Sequence, residues 1–533
     1  MTISWERRVV PQWTKSTEPN NRFVRNPITA FSRPTTPIRS ADNHEFEKVV
    51  AEFELHPSIG LAADALRFGL LNIDSSKLKS IATFILKNDS AMPAGIRRLA
   101  DSVQSGDLSE VSLTGPLDHK KTLRDGIHDT RRWLVRFPND ALTWLDLGRL
   151  HAAAGNTGSA KNAVQTALAL SPSNRTILRG TSRFFLHAHD PAAALAILDK
   201  SPRTERDPWL IAGHIAINSI LGKSSKFTKK ARAIISAGSH SPYEISELAS
   251  SLATLELEAG QNKQAKRLYN ISLSEPNENA LAQVQWAAKQ LNLNPDLPDE
   301  WLQKPMTAEA GYYHFLMNDQ FEDALMSALT WHIDEPFAAR PMLSASFIAA
   351  IFGDLNDARS YARQGLITEP DNLMLLNNLA FATGAEGDIE AAETVLKKIS
   401  SIEKSNINAH TVANLGMLAY LRQELEIGMQ LYDTAIEIYR KQHNLEQAAI
   451  ASIFHWFFSH KVASSKSNEI LDKARKVVEE SRSRFAQGIF VRITKMHATN
   501  TAPPVRQIAP RKWHYDREKN LLIFDKHLPL GKS

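Results

Sequence analysis

Histidines and a carboxylate in close succession are the first residues to test for chemistry, and "FFLHAHD" places His187, His189 and Asp190 within four positions. Two imidazoles and a carboxylate suit a zinc-type ion, but residues two apart on a helix face different ways. The rings converge on one ion only where a helix has ended. The segment also reads as a helix boundary, because Asp190 followed by Pro191 is the pattern that caps and starts a new helix. We take it as a boundary and expect no metal. "HWFFSH" sets His455 and His460 five apart, a spacing that shares a face poorly and reads as packing, and "NHEFEK" at His44 lacks the second histidine of a metalloprotease helix. "GKS" occurs at Gly222 and Gly531, each time without the earlier glycine that a phosphate-cradling loop needs. No G-x-S-x-G elbow is present. The chain has 0 cysteines, which excludes disulfides, thiolate zinc sites, iron–sulfur clusters and cysteine nucleophiles. The expectation is a protein that is not an enzyme and carries no cofactor.

Cations interleaved with aromatics are the other chemistry-bearing pattern. Residues 1–40 hold Arg7, Arg8, Lys15, Arg22, Arg25, Arg33 and Arg39 against Glu6 and Glu18, with Trp5, Trp13, Phe23 and Phe31 among them. The C-terminal tail adds Arg506, Arg511, Lys512 and Trp513. Mobile basic arms take up phosphates without sequence preference and aromatics stack on bases, while the same composition also docks on acidic protein surfaces. Of these cations Arg7, Arg8, Arg22, Arg25, Arg506, Arg511 and Lys512 are the candidate contacts to phosphate or an acidic partner. The other 493 residues balance to zero, so the ends read as basic and the body as not.

The elements that must position any site are helical. With 533 residues the chain is too long for one core; 43% hydrophobic and 23% charged residues are ordinary for a soluble protein. The first residues lack the apolar run of a signal peptide and no uninterrupted apolar stretch would span a membrane, so a cytoplasmic location is expected. In "TWLDLGRLHAAAGNTGSA", Trp144, Leu147, Leu150 and His151 share a helical stripe with Gly148 as a gap in it. Gly155 ends that helix, and Ala160, Ala163, Val164 and Ala167 carry the period into a second one.

That hairpin recurs. Ala160 is followed 34 positions later by Ala194; Ala324, Ala358 and Ala392 repeat the step, as do Gly353 and Gly387, and Pro336 and Pro370. The period, with W-x2-L-G-x2-(Y/H) and later G, A and P, resembles the tetratricopeptide repeat. Trp144, Leu147, Gly148, Gly155, Ala160, Ala167 and Pro172 fall on signature places in one copy. Asn378, Leu379, Ala380, Gly387, Asp388 and Ala392 do so in a second, and Asn414, Leu415, Gly416 and Tyr432 in a third, where Gly428 replaces the usual alanine. Weaker copies begin near Arg175, Asp207, Ser246, Pro305 and Ala339. The resemblance implies an all-α, right-handed superhelix of helix-turn-helix repeats in two blocks.

We read residues 1–43 as a disordered basic arm, 44–140 as an N-terminal helical extension or cap, and 141–292 as the first block. Residues 293–306, which include Pro295, Pro298 and Pro305, form a linker; 307–440 are the second block, 441–497 C-terminal helices, and 498–533 a basic tail. The apolar face of Ile450, Ile453, Phe454 and Phe457 needs a neighbour. In the tail "KWHYDREKNLLIF" alternates, turns at Lys519-Asn520 and alternates again, which reads as a short β-hairpin that must dock on something to persist.

The resemblance further implies that the first helix of each repeat lines a groove for partner peptides. In the second block the groove positions are Arg340, Leu343, Phe347, Met374, Asn377, Phe381, His410, Met417, Tyr420 and Leu421; the first block offers Leu142, Leu145 and Arg149. An apolar strip of this extent is covered by something: either an amphipathic helix or apolar peptide of a protein partner, or the chain's own C-terminal region. The expected function is a non-enzymatic interaction scaffold or adaptor within a multiprotein complex. The alternative is a subunit of a nucleic-acid-acting complex, such as a bacterial defence or processing system, whose basic ends contact DNA or RNA.

Overall fold

Short polar residues set the rhythm of this chain by capping helices. Asp140, Asn174, Asp190, Asp207, Asn372, Asn408 and Asn444 each accept a hydrogen bond from a backbone N–H in the first turn that follows. Ser241 and Glu244 form a reciprocal capping box. At the other ends, Gly353 and Gly387 stop helices in the left-handed region, at φ 83° and 110°, where a side chain would be strained.

The computed structural model describes residues 76–87, 119–291, 308–403, 407–497, 513–516 and 518–524, with scattered positions between 50 and 104. The helices among them are α1 (Ser76–Lys87), α2 (His119–Arg136), α3 (Ala141–Ala153), α4 (Thr157–Leu170), α5 (Arg175–His187), α6 (Pro191–Lys200), α7 (Pro208–Ile220), α8 (Thr228–Ala237), α9 (Pro242–Glu258), α10 (Asn262–Ser272) and α11 (Glu278–Leu291). After them come α12 (Ala308–Met317), α13 (Phe321–Asp334), α14 (Ala339–Phe352), α15 (Leu355–Thr368), α16 (Leu373–Glu386), α17 (Ile389–Glu403), α18 (Ala409–Leu421), α19 (Leu425–Lys441), α20 (Leu445–Lys461), α21 (Ser467–Ser481) and α22 (Arg484–His497). Strands β1 (Trp513–Asp516) and β2 (Leu521–Phe524) pair antiparallel, Trp513 opposite Phe524.

The chain divides into two compact units, residues 1–310 and 311–533. In the first, α3·α4, α5·α6 and α9·α10 pack as hairpins, and α3, α5, α7, α9 and α11 each touch the next in that row. In the second, the hairpins are α14·α15, α16·α17, α18·α19 and α20·α21, and the row is α14, α16, α18 and α20, with α22 packed on α20 at its end. Both units therefore have a layer of first helices in mutual contact and a layer of second helices outside it. Small residues make the crossings possible: a Cβ on Gly148 would stand 2.5 Å from Val164 Cγ1, and one on Gly416 2.8 Å from Tyr432 Cδ2. Ala160, Ala194, Ala324, Ala358 and Ala392 are all essentially fully buried.

Upstream of the first row, Val50, Phe53, Ala62, Ala65, Leu78, Ile81, Ala82, Ile85, Ala100 and Val103 form a separate buried cluster. Trp133 ties α2 to the next hairpin by donating to Asp140 Oδ2 at 3.0 Å. Among the described residues no helix is long and apolar enough to cross a membrane.

Candidate functional site

The first-helix row of the second unit carries the ten groove positions expected from the sequence, and the structure sorts them into three kinds. Asn377, Met417 and Tyr420 are buried and do not line an open face. Asn377 is spent on joining helices: its Oδ1 accepts from Thr411 Oγ1 at 3.2 Å and from Asn414 Nδ2 at 3.0 Å, while its own amide donates to Leu373 O. Asn378 repeats the device one step earlier, donating to Ser346 Oγ at 2.7 Å. Tyr420 fills the space left by Gly428, where a Cβ would meet the ring at 2.8 Å, which explains the missing alanine at that position.

His410 and Arg340 are committed to neighbours. His410 packs edge-on to Tyr439 at 5.3 Å, and burial pulls its pKa down to about 4, so at neutral pH it is no cation. Arg340 donates to the Tyr313 hydroxyl and sits 5.5 Å from the Trp331 ring. Leu343, Phe347, Met374, Phe381 and Leu421 remain half-buried and make up the face itself.

That face is covered in part by the chain's own C-terminal helices. Phe381 meets Phe454 of the apolar stripe of α20 at 5.1 Å, and Phe458 beside that stripe at 5.8 Å. Lys461 closes the same contact by donating to Ala385 O at 3.0 Å. Phe347 meets Phe485 of α22 at 6.0 Å, and Phe485 also packs on Phe321 at 5.9 Å. Further along α22, Arg492 donates to Glu322 Oε1 at 2.7 Å and stands 4.0 Å over the Phe352 ring. That bond holds the Glu322 carboxyl below its usual pKa. Gly488 lies so close to Asp319 that a Cβ would approach Oδ1 to 2.5 Å. The last described helix thus rests on helices about 170 residues earlier.

The β-hairpin docks as well. Asp516 Oδ1 accepts from the backbone N–H groups of Glu518 and Lys519 to shape its turn, and Asn520 takes the left-handed φ of 47°. Asn520 Nδ2 donates to Ile407 O at 3.0 Å, Ser400 Oγ donates to Leu522 O at 3.2 Å, and Trp513 Nε1 donates to Glu393 Oε1 at 2.8 Å. Glu393 is itself bonded to Arg422 at 2.6 Å, both side chains being almost wholly buried. The hairpin therefore covers a buried ion pair that nothing in the local spacing of Glu393 and Arg422 announces.

The chemistry-bearing residues fall into structural roles. Asp190 Oδ1 accepts from Ala193 N at 2.9 Å, the capping role, and His189 turns the chain at φ 58°. Burial, helped by Arg183 and His189, pulls the His187 pKa down to about 4. Tyr420 OH, His455 Nε2 and Asp433 align like a proton relay, at 2.8 Å and 3.9 Å. Burial, however, drives the His455 pKa down to about 3 and the Tyr420 hydroxyl well up, so neither group exchanges a proton near neutrality. His460 stacks on Trp456. Among the described residues no three His, Asp or Glu gather as a metal site.

In the first unit Leu145 and Arg149 are buried and Leu142 is half-buried. Arg7, Arg8, Arg22, Arg25, Arg506, Arg511 and Lys512 lie outside the described residues. No family model matches the chain, and no curated protein does.

Proposed function

We propose that the chain is a tetratricopeptide-type, non-enzymatic interaction scaffold that receives an amphipathic helix of a partner protein on the first-helix row of its second unit. The observation that carries this reading is α22. It is an amphipathic helix that rests on α14, the first member of that row, through Phe485 and Arg492, and on the adjoining α13, with Gly488 against Asp319; this supports reading the α14 end of the row as a face that can hold such a helix. The half-buried Leu343 and Met374 supply apolar surface that neither the Phe347–Phe485 nor the Phe381–Phe454 contact takes up.

A photo-crosslinking residue placed at Leu343 or at Met374, in the full-length protein in its own cells, tests the reading. A crosslink to a second protein is expected at both positions. Crosslinks confined to the chain's own α20 and α22 would overturn it, and the row would then be an internal core.

A further inference from the structure

The near-neutral body of the chain is the sum of two unlike halves. Residues 119–291 carry 23 Lys and Arg against 14 Asp and Glu, whereas residues 292–500 carry 19 against 27. The excess in the first half concentrates on its outer helices. Between Leu221 and Gly238 there are five cations and no carboxylate. Helices α8 and α10 both pack on α9, burying Ala231, Ala265, Leu268 and Tyr269, and leave their other sides in water.

The carboxylates nearby are already engaged. Asp199 holds Lys226 at 2.7 Å and His214 at 3.1 Å, Glu256 holds Arg232 at 2.6 Å, and Glu258 accepts from Ser219 at 3.0 Å. Lys223, Lys229, Lys230, Lys263, Lys266 and Arg267 are exposed and form no ion pair among the described residues. Helix stability does not account for them. The first turns of α8 and α10 contain lysines and no acid, where the helix macrodipole already disfavours positive charge.

We infer that the exposed cations of α8 and α10, two helices packed on the same α9, together form a binding site for the sugar-phosphate backbone of a nucleic-acid duplex, read without regard to sequence. The exposed positions of α10 are Asn262, Lys263, Gln264, Lys266, Arg267 and Asn270, an unbroken set of cations and amides. Cations neutralise phosphates and release their counterions, and amides donate to phosphate and sugar oxygens. The exposed positions of α10 include no aromatic residue of the kind single strands stack on and no apolar residue to enter a lipid interface. The site is independent of the helix-receiving row of the second unit.

Fluorescence anisotropy with labelled DNA and RNA duplexes of mixed sequence, on the full-length protein, tests it. Lys229→Glu/Lys230→Glu/Lys263→Glu/Lys266→Glu should weaken binding by at least about tenfold and flatten the dependence on salt by roughly 0.9 in log–log slope for each phosphate no longer neutralised. The Lys→Gln version of the same four positions should lose less and keep the helical signal, which guards against a folding defect. A preference for one duplex identifies the source of the backbone, and equal loss on both supports backbone recognition alone. The inference fails if the charge-reversed protein binds both duplexes as the native protein does while Arg7→Glu/Arg8→Glu/Arg22→Glu/Arg25→Glu abolishes binding. It fails equally if the α8 and α10 variant loses only its retention on polyglutamate or on phosphatidylserine vesicles, since the partner would then be an acidic protein or a membrane.

Discussion

The two units solve the same packing problem in different ways. In the first, ties such as Arg179–Glu247 and Asn277–Glu247 join helices of nearby hairpins, and its surplus of cations faces water. In the second, Trp513 reaches Glu393 across 120 residues and Arg492 reaches Glu322 across 170. A stack of hairpins that touch only their neighbours loses stability in increments. A stack fastened by its own distant segments acquires ties that no single repeat contains, and it gives up part of its inner face to make them.

The sharpest way to break this contrast is to remove the carboxylate under the hairpin. Glu393→Gln leaves the Arg422 guanidinium buried without its counter-charge, and removal of one partner from a buried pair costs about 3–5 kcal/mol. Urea unfolding should show that loss, with hydrogen exchange rising in α17, α18 and the hairpin and unchanged in α3–α10. A uniform rise in both units would mean that the second unit is not fastened separately.

Acid should expose a second difference within the same fold. His455 is neutral in the folded protein down to about pH 3, held there by burial, but has an ordinary pKa near 6.5 once unfolded. Its contribution is complete above pH 6.5. As pH falls toward 3 the unfolded chain takes up a proton that the folded chain refuses, so stability declines by about 1.4 kcal/mol per pH unit. His410 adds a similar term down to about pH 4. His455→Phe should remove its share of that slope between pH 6 and 4, measured by urea titrations at several pH values. The slope is the readout, because the variant also orphans the Tyr420 hydroxyl and lowers the neutral-pH stability by about 1–3 kcal/mol.

What the amino-acid spacing disclosed follows from range. Gly148, Ala160, Gly416 and Tyr432 recur at fixed distances because each packs within its own hairpin, so period alone locates them, and the all-α row of hairpins with its C-terminal β-hairpin was legible. The candidate site was legible only in part. Asn377, Met417 and Tyr420 lie on the expected helices but turn into the core, because helical periodicity gives a face to within a residue or so and Gly428 opens a hole for the Tyr420 ring. The docking of α22, the Glu393–Arg422–Trp513 cluster and the segregation of charge between the halves depend on pairings or sums over long separations, which no local pattern carries.

A matched pair of small substitutions tests whether the hairpins themselves are alike. Gly148→Ala in the first unit drives a methyl against Val164, and Gly416→Ala in the second drives one against Tyr432; overpacking of this kind costs about 1–3 kcal/mol. Thermal unfolding followed by hydrogen exchange should place each loss in its own unit. Similar costs would show that the units differ in fastening and not in hairpin design.

The smallest effect separates the two fastenings from each other. Trp513→Phe keeps an aromatic ring over the buried pair and deletes only the indole donor to Glu393, which retains Arg422, so the loss should be about 1–2 kcal/mol. Exchange should quicken in residues 513–524 and at the end of α17, where Ser400 meets the hairpin. If α22 also exchanges faster, although Phe485 and Arg492 tie it to α13 and α14 and not to the hairpin, the two long-range ties form one cooperative closure. If α22 is unmoved they are independent clasps, and a partner helix could displace α22 from the row while the hairpin stays in place.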